Sequence, residues 1–433
     1  MYFCPCSPAC HRAVRLAKSK DRFMKQFDIP SFYKSPIIGR VKAYRKLLDH
    51  RKRDFSPLKL DFGPLRLYIP RHFGFCYGVE NAVEIAYRTV EQNPGKRIFL
   101  LSEMIHNPRV NEDLQSRGIR FIMDTLGKQL IPWEEITAED IVLIPAFGTS
   151  LETEAKLREI GIQTEHYNTT CPFVERVWKT SAKLGTQDYS IIIHGKPSHE
   201  ETRATFSHSQ AEAPSVIVKD MDETKELAKV ISGEYSAEDF YRIFAGRYSE
   251  GFDPEQHLQR VGVVNQTTML ATETQAIADY VKQCMIGKYG EEDVKAHFAD
   301  TRDTLCYATN DNQSATIGLL EQPAHLAIVV GGYNSSNTTH LAELCEEKLP
   351  TYFISGADKI LSESLISHFD FHAKEEKSST DWLSAERPLD ILVTSGASCP
   401  DITMDEVLHR LIALFPDARE VQEVLSEALP AAE

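Results

Sequence analysis

The sequence predicts an α/β fold built as three like units, and three observations predict it. Cys76, Cys171 and Cys306 each head a helix-like run: CYGVENAVEIAYRTV, CPFVERVWKTSAKL and CYATNDNQSATIGLL. After each run comes a β-branched, apolar strand that ends in a polar cluster: RIFLLSEMIHNPRV, YSIIIHGKPSHEET and LAIVVGGYNSSNTTH. A further strand then ends in a small or polar turn before another helix: DIVLIPAFGTSLETE, RVGVVNQTTMLATET and LDILVTSGASCPDIT. Strands alternating with helices imply parallel sheets wrapped by helices, and such sheets take ligands beyond the carboxyl ends of their strands. Three like units facing one another would therefore bring together three cysteines that are 95 and 135 residues apart.

The composition agrees with a chain of several folded units. Of 433 residues, 42% are hydrophobic and 26% charged, which disfavours disorder and coiled coil. No stretch approaches the roughly 18 consecutive apolar residues of a membrane helix. Charge is uneven: residues 1–60 carry 15 Lys and Arg against four Asp, so a net charge of −15 leaves −26 on the remainder. An acidic body argues against a general nucleic-acid binder, and the basic head, which contains GRVKAYRKLLDHRKR, is expected to form a solvated or packed helix. Lacking a long apolar signal core, the head disfavours secretion; a bacterial-type cytoplasmic location is expected, or a plastid one if the head is a transit segment.

Nine cysteines without secretory signs point to reduced thiols rather than a disulfide framework. Cys4, Cys6 and Cys10 have metal-like spacing but are expected to be incidental thiols. Cys284, Cys345 and Cys399 do not recur with the repeat and are expected to be ordinary core or surface thiols.

The first unit opens on RHFGFCYGVENAVEIAY, where Gly74 and Gly78 flank Cys76 and Val79, Val83 and Ala86 follow at helical spacing. Such a turn lets the backbone approach a bound object. Three thiolates at one centre could hold zinc with a water, zinc with His199, or an iron–sulfur cluster with one iron left open; the residues alone leave these alternatives standing. The remaining turns supply anion-binding groups. YNSSNTTH places Asn334, Ser335, Ser336 and Asn337 at a helix start, SGAS adds Ser398, and NQTT adds Gln266, Thr267 and Thr268. With His106 and His199 at the same pole, these favour a polyanionic ligand. In HEET, Glu201 is a candidate proton donor, and Glu200, one residue earlier, should point elsewhere. No GxxxxGK[ST] and no GxGxxG occurs, which disfavours a nucleotide.

GFCYGVENAV, EMIHNPRVNEDL, PAFGTS, TTCPFVERVW, IIHGKPSHEETRAT, NQTTML, NSSNTTHLAEL and TSGASCPD, in that order from about residue 66 to 412, resemble the LytB family of 4-hydroxy-3-methylbut-2-enyl diphosphate reductases, in its longer plant and cyanobacterial form. The resemblance implies three pseudo-threefold α/β lobes around a four-iron four-sulfur cluster held by Cys76, Cys171 and Cys306, with an open iron for the substrate's allylic hydroxyl. It implies that His106, His199, Ser335, Asn337 and Ser398 bind the diphosphate, with Ser336 and Thr268 close by. Thr267 would orient the hydroxyl and Glu201 would deliver the proton that lets it leave as water. Two electrons from ferredoxin or flavodoxin would then yield isopentenyl and dimethylallyl diphosphate, the last step of the methylerythritol phosphate route. The chain departs from the short bacterial branch at Phe147, where that branch carries a histidine, so one imidazole contact to substrate is absent. The rival readings are a three-cysteine zinc hydrolase and a non-catalytic cluster protein that senses oxygen or iron.

The expected organisation is a basic extension over 1–62, a Cys76 lobe over 63–160, a Cys171 lobe over 161–290 with an insertion near 220–260, a Cys306 lobe over 291–415 and a tail over 416–433. Residues 1–60 and 228–260 lie outside the motifs and are expected to be a structural embellishment, a docking surface for the electron donor being the other reading.

Overall fold

The computed structural model describes residues 27–49, 53–301 and 304–429. Cys4, Cys6 and Cys10 lie outside them. Three parallel sheets organise the chain. In the first, Ile98–Leu100 lies between Arg120–Phe121 and Ile141–Leu143. The second runs Ser215–Val218, Ser190–His194, Val261–Asn265, Phe298–Ala299. The third runs Leu58–Asp61, Leu65–Ile69, Leu389–Ser395, Leu326–Val330, Thr351–Ile354, parallel except for the first pair. Ser190–His194, Leu326–Val330 and Leu389–Ser395 are buried at every residue, because helices cover both faces of a parallel sheet. Their centres accordingly read as apolar runs: Ile191, Ile192 and Ile193; Leu326 to Val330; and Ile391, Leu392 and Val393. Among the described residues, no helix is long and apolar enough to cross a membrane.

The lobe boundaries differ from those expected. The strand Leu65–Ile69, expected in the Cys76 lobe, pairs with Leu389–Ser395 in the third sheet. The same displacement occurs at the other two cysteines. Asn168 bridges to Ile144 beside the first sheet, and Phe298–Ala299 pairs with Val261–Asn265 in the second. Each cysteine thus follows a segment that pairs with the sheet of the preceding unit, cyclically, and the units interlock instead of meeting at clean borders.

The described part of the basic head is integral to the core. Ser35 caps the helix Pro36–Leu48, and Ile37, Ile38 and Val41 enter the core of the third sheet. Ile29 and Tyr33 pack into the core beside the first sheet, so this segment ties two units together. The tail is likewise packed: the helix Val421–Ala428 buries Val424 and Leu425 against the third sheet's core. Residues 228–260 complete the helix Met221–Ser232 and add two short helices, Ala237–Ile243 and Pro254–His257. Their Phe240, Phe244, Phe252 and Leu258 are buried beside the edge strand Ser215–Val218, which Tyr248 also bridges. Covering an open edge is a structural gain in itself. A three-stranded antiparallel sheet, Ile360–Ser362, Leu365–Asp370 and Glu375–Thr380, has no counterpart in the three-unit reading.

Candidate active site

Cys76, Cys171 and Cys306 are the N-cap residues of Tyr77–Gln92, Pro172–Gly185 and Tyr307–Leu319. The chain reaches Cys76 through Gly74 at φ +72°, a left-handed conformation that glycine adopts without strain. Each cysteine amide is then fastened to the polar turn of the preceding unit. Cys76 N–H donates to Ala397 O at 3.2 Å, Cys171 N–H to Ala146 O at 2.9 Å and Cys306 N–H to Thr267 O at 3.1 Å. This threefold set of bonds brings three helix N-termini, with their partial positive charge, to one cavity.

Cys76, Cys171, Cys306, Glu201, Thr267, Thr268, His106, His199, Ser335, Ser336, Asn337 and Ser398 all line that cavity. It encloses about 640 Å³ between protein atoms, part of it open to solvent. Asn334, the other candidate from the YNSSNTTH helix start, is not among the lining residues and donates through Nδ2 to Glu103 Oε2 at 2.9 Å. Burial pushes each thiol up to about 12, and the neighbouring sulfur adds to the rise: Cys171 acts on Cys76, Cys306 on Cys171 and Cys76 on Cys306. The three sulfurs therefore form one electrostatic group.

Glu201 links this thiol wall to the opposite one. It is 1% exposed, and burial raises its carboxyl to about 7, against the pull of the Thr267 N–H, which donates to Oε1 at 2.5 Å, and of His106. Its charge is felt at Cys171 and Cys306 on one side, and on the other His106 pulls against the rise in its own carboxyl. A carboxyl of that kind is still half protonated near neutral pH.

The far wall is built of donors. His199 caps the helix Glu200–Gln210, its Nδ1 accepting from Glu201 N–H at 3.1 Å. That bond puts the proton of a neutral ring on Nε2. Burial, with His106 and Lys196 nearby, holds His199 well below its usual range. Ser335 caps the helix Ser336–Glu346 and accepts from Thr338 N–H. Asn337 Oδ1 accepts from Ala397 N–H at 2.8 Å, while its buried Nδ2 has no hydrogen-bond partner and is left for a ligand. Ser398 donates to His106 O at 3.1 Å. Two helix N-termini, neutral donors and an unsatisfied amide make an anion site. Phe147 packs its ring against His106 and His199, with centroids 4.3 and 5.5 Å apart.

Two residues take orienting roles that the motif reading did not assign them. Glu200 does turn away from the cavity, as expected, but it is buried and holds His106: its Oε2 lies 2.8 Å from His106 Nε2, and its Oε1 accepts from the Ser102 hydroxyl. Gln266 donates through Nε2 to Thr268 Oγ1 at 2.8 Å and Ser336 Oγ at 3.2 Å. No sequence signal marks Glu200, since its partners are about a hundred residues upstream; Gln266 stands in the NQTT turn already singled out.

Among the described residues, no three His, Cys, Asp or Glu side chains gather tightly enough to cage a single metal ion. His199, the zinc ligand of one alternative, spends its Nδ1 on the helix cap. Three buried thiols set on three separate helix ends would fit a thiolate-held metal group. The absence of a side chain at Gly78 leaves Cys171 Sγ room beside the Cys76 helix.

The fold and site define the class: an α/β protein of three parallel sheets in which three cysteines face a set of hydrogen-bond donors across one cavity. Within that class, the chain belongs to the LytB protein family, whose model matches residues 67–412. A 4-hydroxy-3-methylbut-2-enyl diphosphate reductase of Gloeobacter violaceus is 37% identical over 401 residues, 92% of this chain and 93% of the relative. One of Thermosynechococcus vestitus is 40% identical over 355 residues, 81% of this chain and 85% of the relative. Among solved structures, the E-1-hydroxy-2-methyl-but-2-enyl-4-diphosphate reductase from Plasmodium falciparum matches in fold with a TM-score of 0.58, at 19% identity over 81% of this chain and 89% of that one.

Proposed function

We infer that the chain is a 4-hydroxy-3-methylbut-2-enyl diphosphate reductase, which removes the allylic hydroxyl of its substrate to give isopentenyl and dimethylallyl diphosphate. The observation that carries this reading is that Glu201 stands between a wall of three thiols and a wall of anion donors in one cavity. Cys76, Cys171 and Cys306 would hold a four-iron four-sulfur cluster, the donor set being all thiolate and each sulfur set on a separate helix end. When bound, the cluster supplies electrons and a Lewis-acidic iron to the reaction.

The chain's own residues do the rest. His199 Nε2–H, Asn337 Nδ2 and the hydroxyls of Ser335, Ser336, Ser398 and Thr268 bind the diphosphate, with His106 positioned by Glu200. This binding energy is remote from the reacting carbon and holds the allylic end toward the thiol wall. Thr267 orients the hydroxyl. Glu201, protonated up to about pH 7, gives its proton to the departing oxygen, since hydroxide is a poor leaving group. Phe147, Val79 and Val174 line the cavity with apolar surface that limits water near the reacting end. A one-electron carrier protein, ferredoxin or flavodoxin, supplies the two electrons.

The test is anaerobic reconstitution followed by a product assay with dithionite-reduced methyl viologen. Both diphosphate products are expected, with iron and sulfide at about four each per chain for one cluster. Full iron and sulfide without turnover would favour a sensing role, and stoichiometric zinc in the fresh protein would favour the hydrolase.

A further inference from the structure

Each thiol-bearing helix opens on an aromatic residue: Tyr77 follows Cys76, Phe173 stands two residues after Cys171, and Tyr307 follows Cys306. The fold brings the three together. Tyr77 N–H donates to Tyr307 Oη at 3.1 Å, which joins the Cys76 helix to the Cys306 helix. The Phe173 and Tyr307 rings meet with centroids 5.1 Å apart and close the seam between the Cys171 and Cys306 helices. The third seam is closed by Gly78 against Cys171, where a Cβ would come within 2.6 Å of Sγ. Phe27, from the basic head, packs edge-on against Tyr77 with centroids 4.8 Å apart. None of Tyr77, Phe173 and Tyr307 lines the substrate cavity, whereas Tyr307 lines a separate groove that also reaches Cys76. The Tyr307 ring touches both sides of this boundary. It is 36% exposed, and burial, with the Cys76 and Cys306 sulfurs beside it, raises its phenol above the usual range.

We propose that Tyr307, braced by Phe173 and Tyr77, is a positioning residue that seals the outer side of the thiol wall against solvent and small solutes. The proposal rests on the reductase reading for the nature of the group that is shielded; the seal itself is a property of the chain. Three helix starts meeting at one point leave a polar gap, because the first amides of each helix have no partner within it. An apolar side chain laid over that gap would strand those donors. Tyrosine meets both demands: its ring supplies a large rigid cover, and its hydroxyl accepts from Tyr77 N–H, the first amide of the neighbouring helix. The apolar shell around a metal site controls how far solvent reaches it, so the ring, more than the hydroxyl, decides how exposed the thiols are.

Three variants of the full chain test the seal: Tyr307→Ala, Tyr307→Phe and Phe173→Ala. In the reconstituted holoenzyme, the rate of iron release to ferrozine is followed without oxygen. In the same chain before reconstitution, alkylation by iodoacetamide is followed at each cysteine by mass spectrometry. Cys284, half-buried on a second-unit helix, serves as the internal control for folding. Tyr307→Ala is expected to speed iron release and the alkylation of Cys76 and Cys306 by about tenfold, and Phe173→Ala to do the same at Cys171 and Cys306, as local opening would. Tyr307→Phe keeps the ring and should stay within about twofold of wild type in both readouts, as should Cys284 in every variant and viologen-driven turnover in Tyr307→Ala. Iron release and thiol alkylation at the wild-type rate in both alanine variants would overturn the seal. So would equal acceleration at Cys284, which marks general loosening, or a phenylalanine variant as fast as the alanine one, which assigns the effect to the hydrogen bond. A wild-type chain that takes up no iron would instead overturn the reductase reading, and the alkylation rates would still judge the seal.

Discussion

Gly78 stands against Cys171: a Cβ built on the glycine would lie 2.6 Å from Cys171 Sγ and 3.3 Å from its Cβ. The two residues belong to different units, and the missing side chain is what lets the Cys76 helix approach the second sulfur. Gly78 lies in the first turn of its helix, where alanine would otherwise be the better helix former by about 1 kcal/mol. Gly78→Ala should therefore lower iron and sulfide content and turnover, although local propensity favours it. A variant with a higher Tm and full iron would show that the contact yields without consequence.

The six described cysteines should separate into two groups. Serine at Cys76, Cys171 or Cys306 is expected to lose or damage the cluster, since a hydroxyl is a poor match for soft metal ligation. Cys345 and Cys399 are fully buried in apolar clusters, so serine there should cost about 1–3 kcal/mol of stability and leave the cluster spectrum intact. Cys284, half-buried on its helix, should tolerate serine with less loss. Visible spectra and thermal melts on all six variants check the division.

The carboxyl of Glu201 sets a pH dependence. Its acid is raised from the ordinary 4.5 to about 7, and the proposed role needs the protonated form, so turnover should be full below that value and decline as pH rises through it. Glu201→Gln should bind substrate yet turn over about 100- to 10,000-fold more slowly, and its residual rate should lack the alkaline decline. The pH–rate profiles of the two proteins, taken with the same chemical reductant, read the difference. An unchanged rate in the glutamine variant would remove Glu201 from the chemistry.

Glu200 is expected to act through His106. Glu200→Gln keeps a hydrogen-bonding group beside Ser102 and removes the charge that holds the imidazole. A charge-assisted bond of this kind contributes about 1.5–3 kcal/mol, so KM for the diphosphate should rise about 10- to 100-fold with kcat nearly unchanged. A fall in kcat at constant KM would place Glu200 in the proton-transfer path instead.

How much of this was legible follows from the range over which each feature is encoded. The helices after Cys76, Cys171 and Cys306 could be read because their apolar spacing and capping positions are properties of consecutive residues. The strands Ser190–His194 and Leu326–Val330 were legible from their β-branched centres, Ile191 to Ile193 and Ile328 to Val330. The antiparallel strands Leu365–Asp370 and Glu375–Thr380 were missed because the second is almost wholly exposed and carries no apolar alternation.

The sequence by itself determined the three-unit pattern, the identity of the cavity's twelve expected residues and the basic character of the first 60 residues. Only the tertiary structure decided which unit each cysteine completes. Leu65–Ile69 joins the third sheet through pairing with Leu389–Ser395, sealed by the ion pair of Arg66 with Asp390 across 324 residues. It also decided that Glu200 holds His106 and that Gly78 makes room for Cys171. Periodicity and turn chemistry act between neighbours and are written locally. Sheet pairing acts between strands whose distance along the chain says nothing about their distance in space, so the convergence of the site appears only when the sheets close.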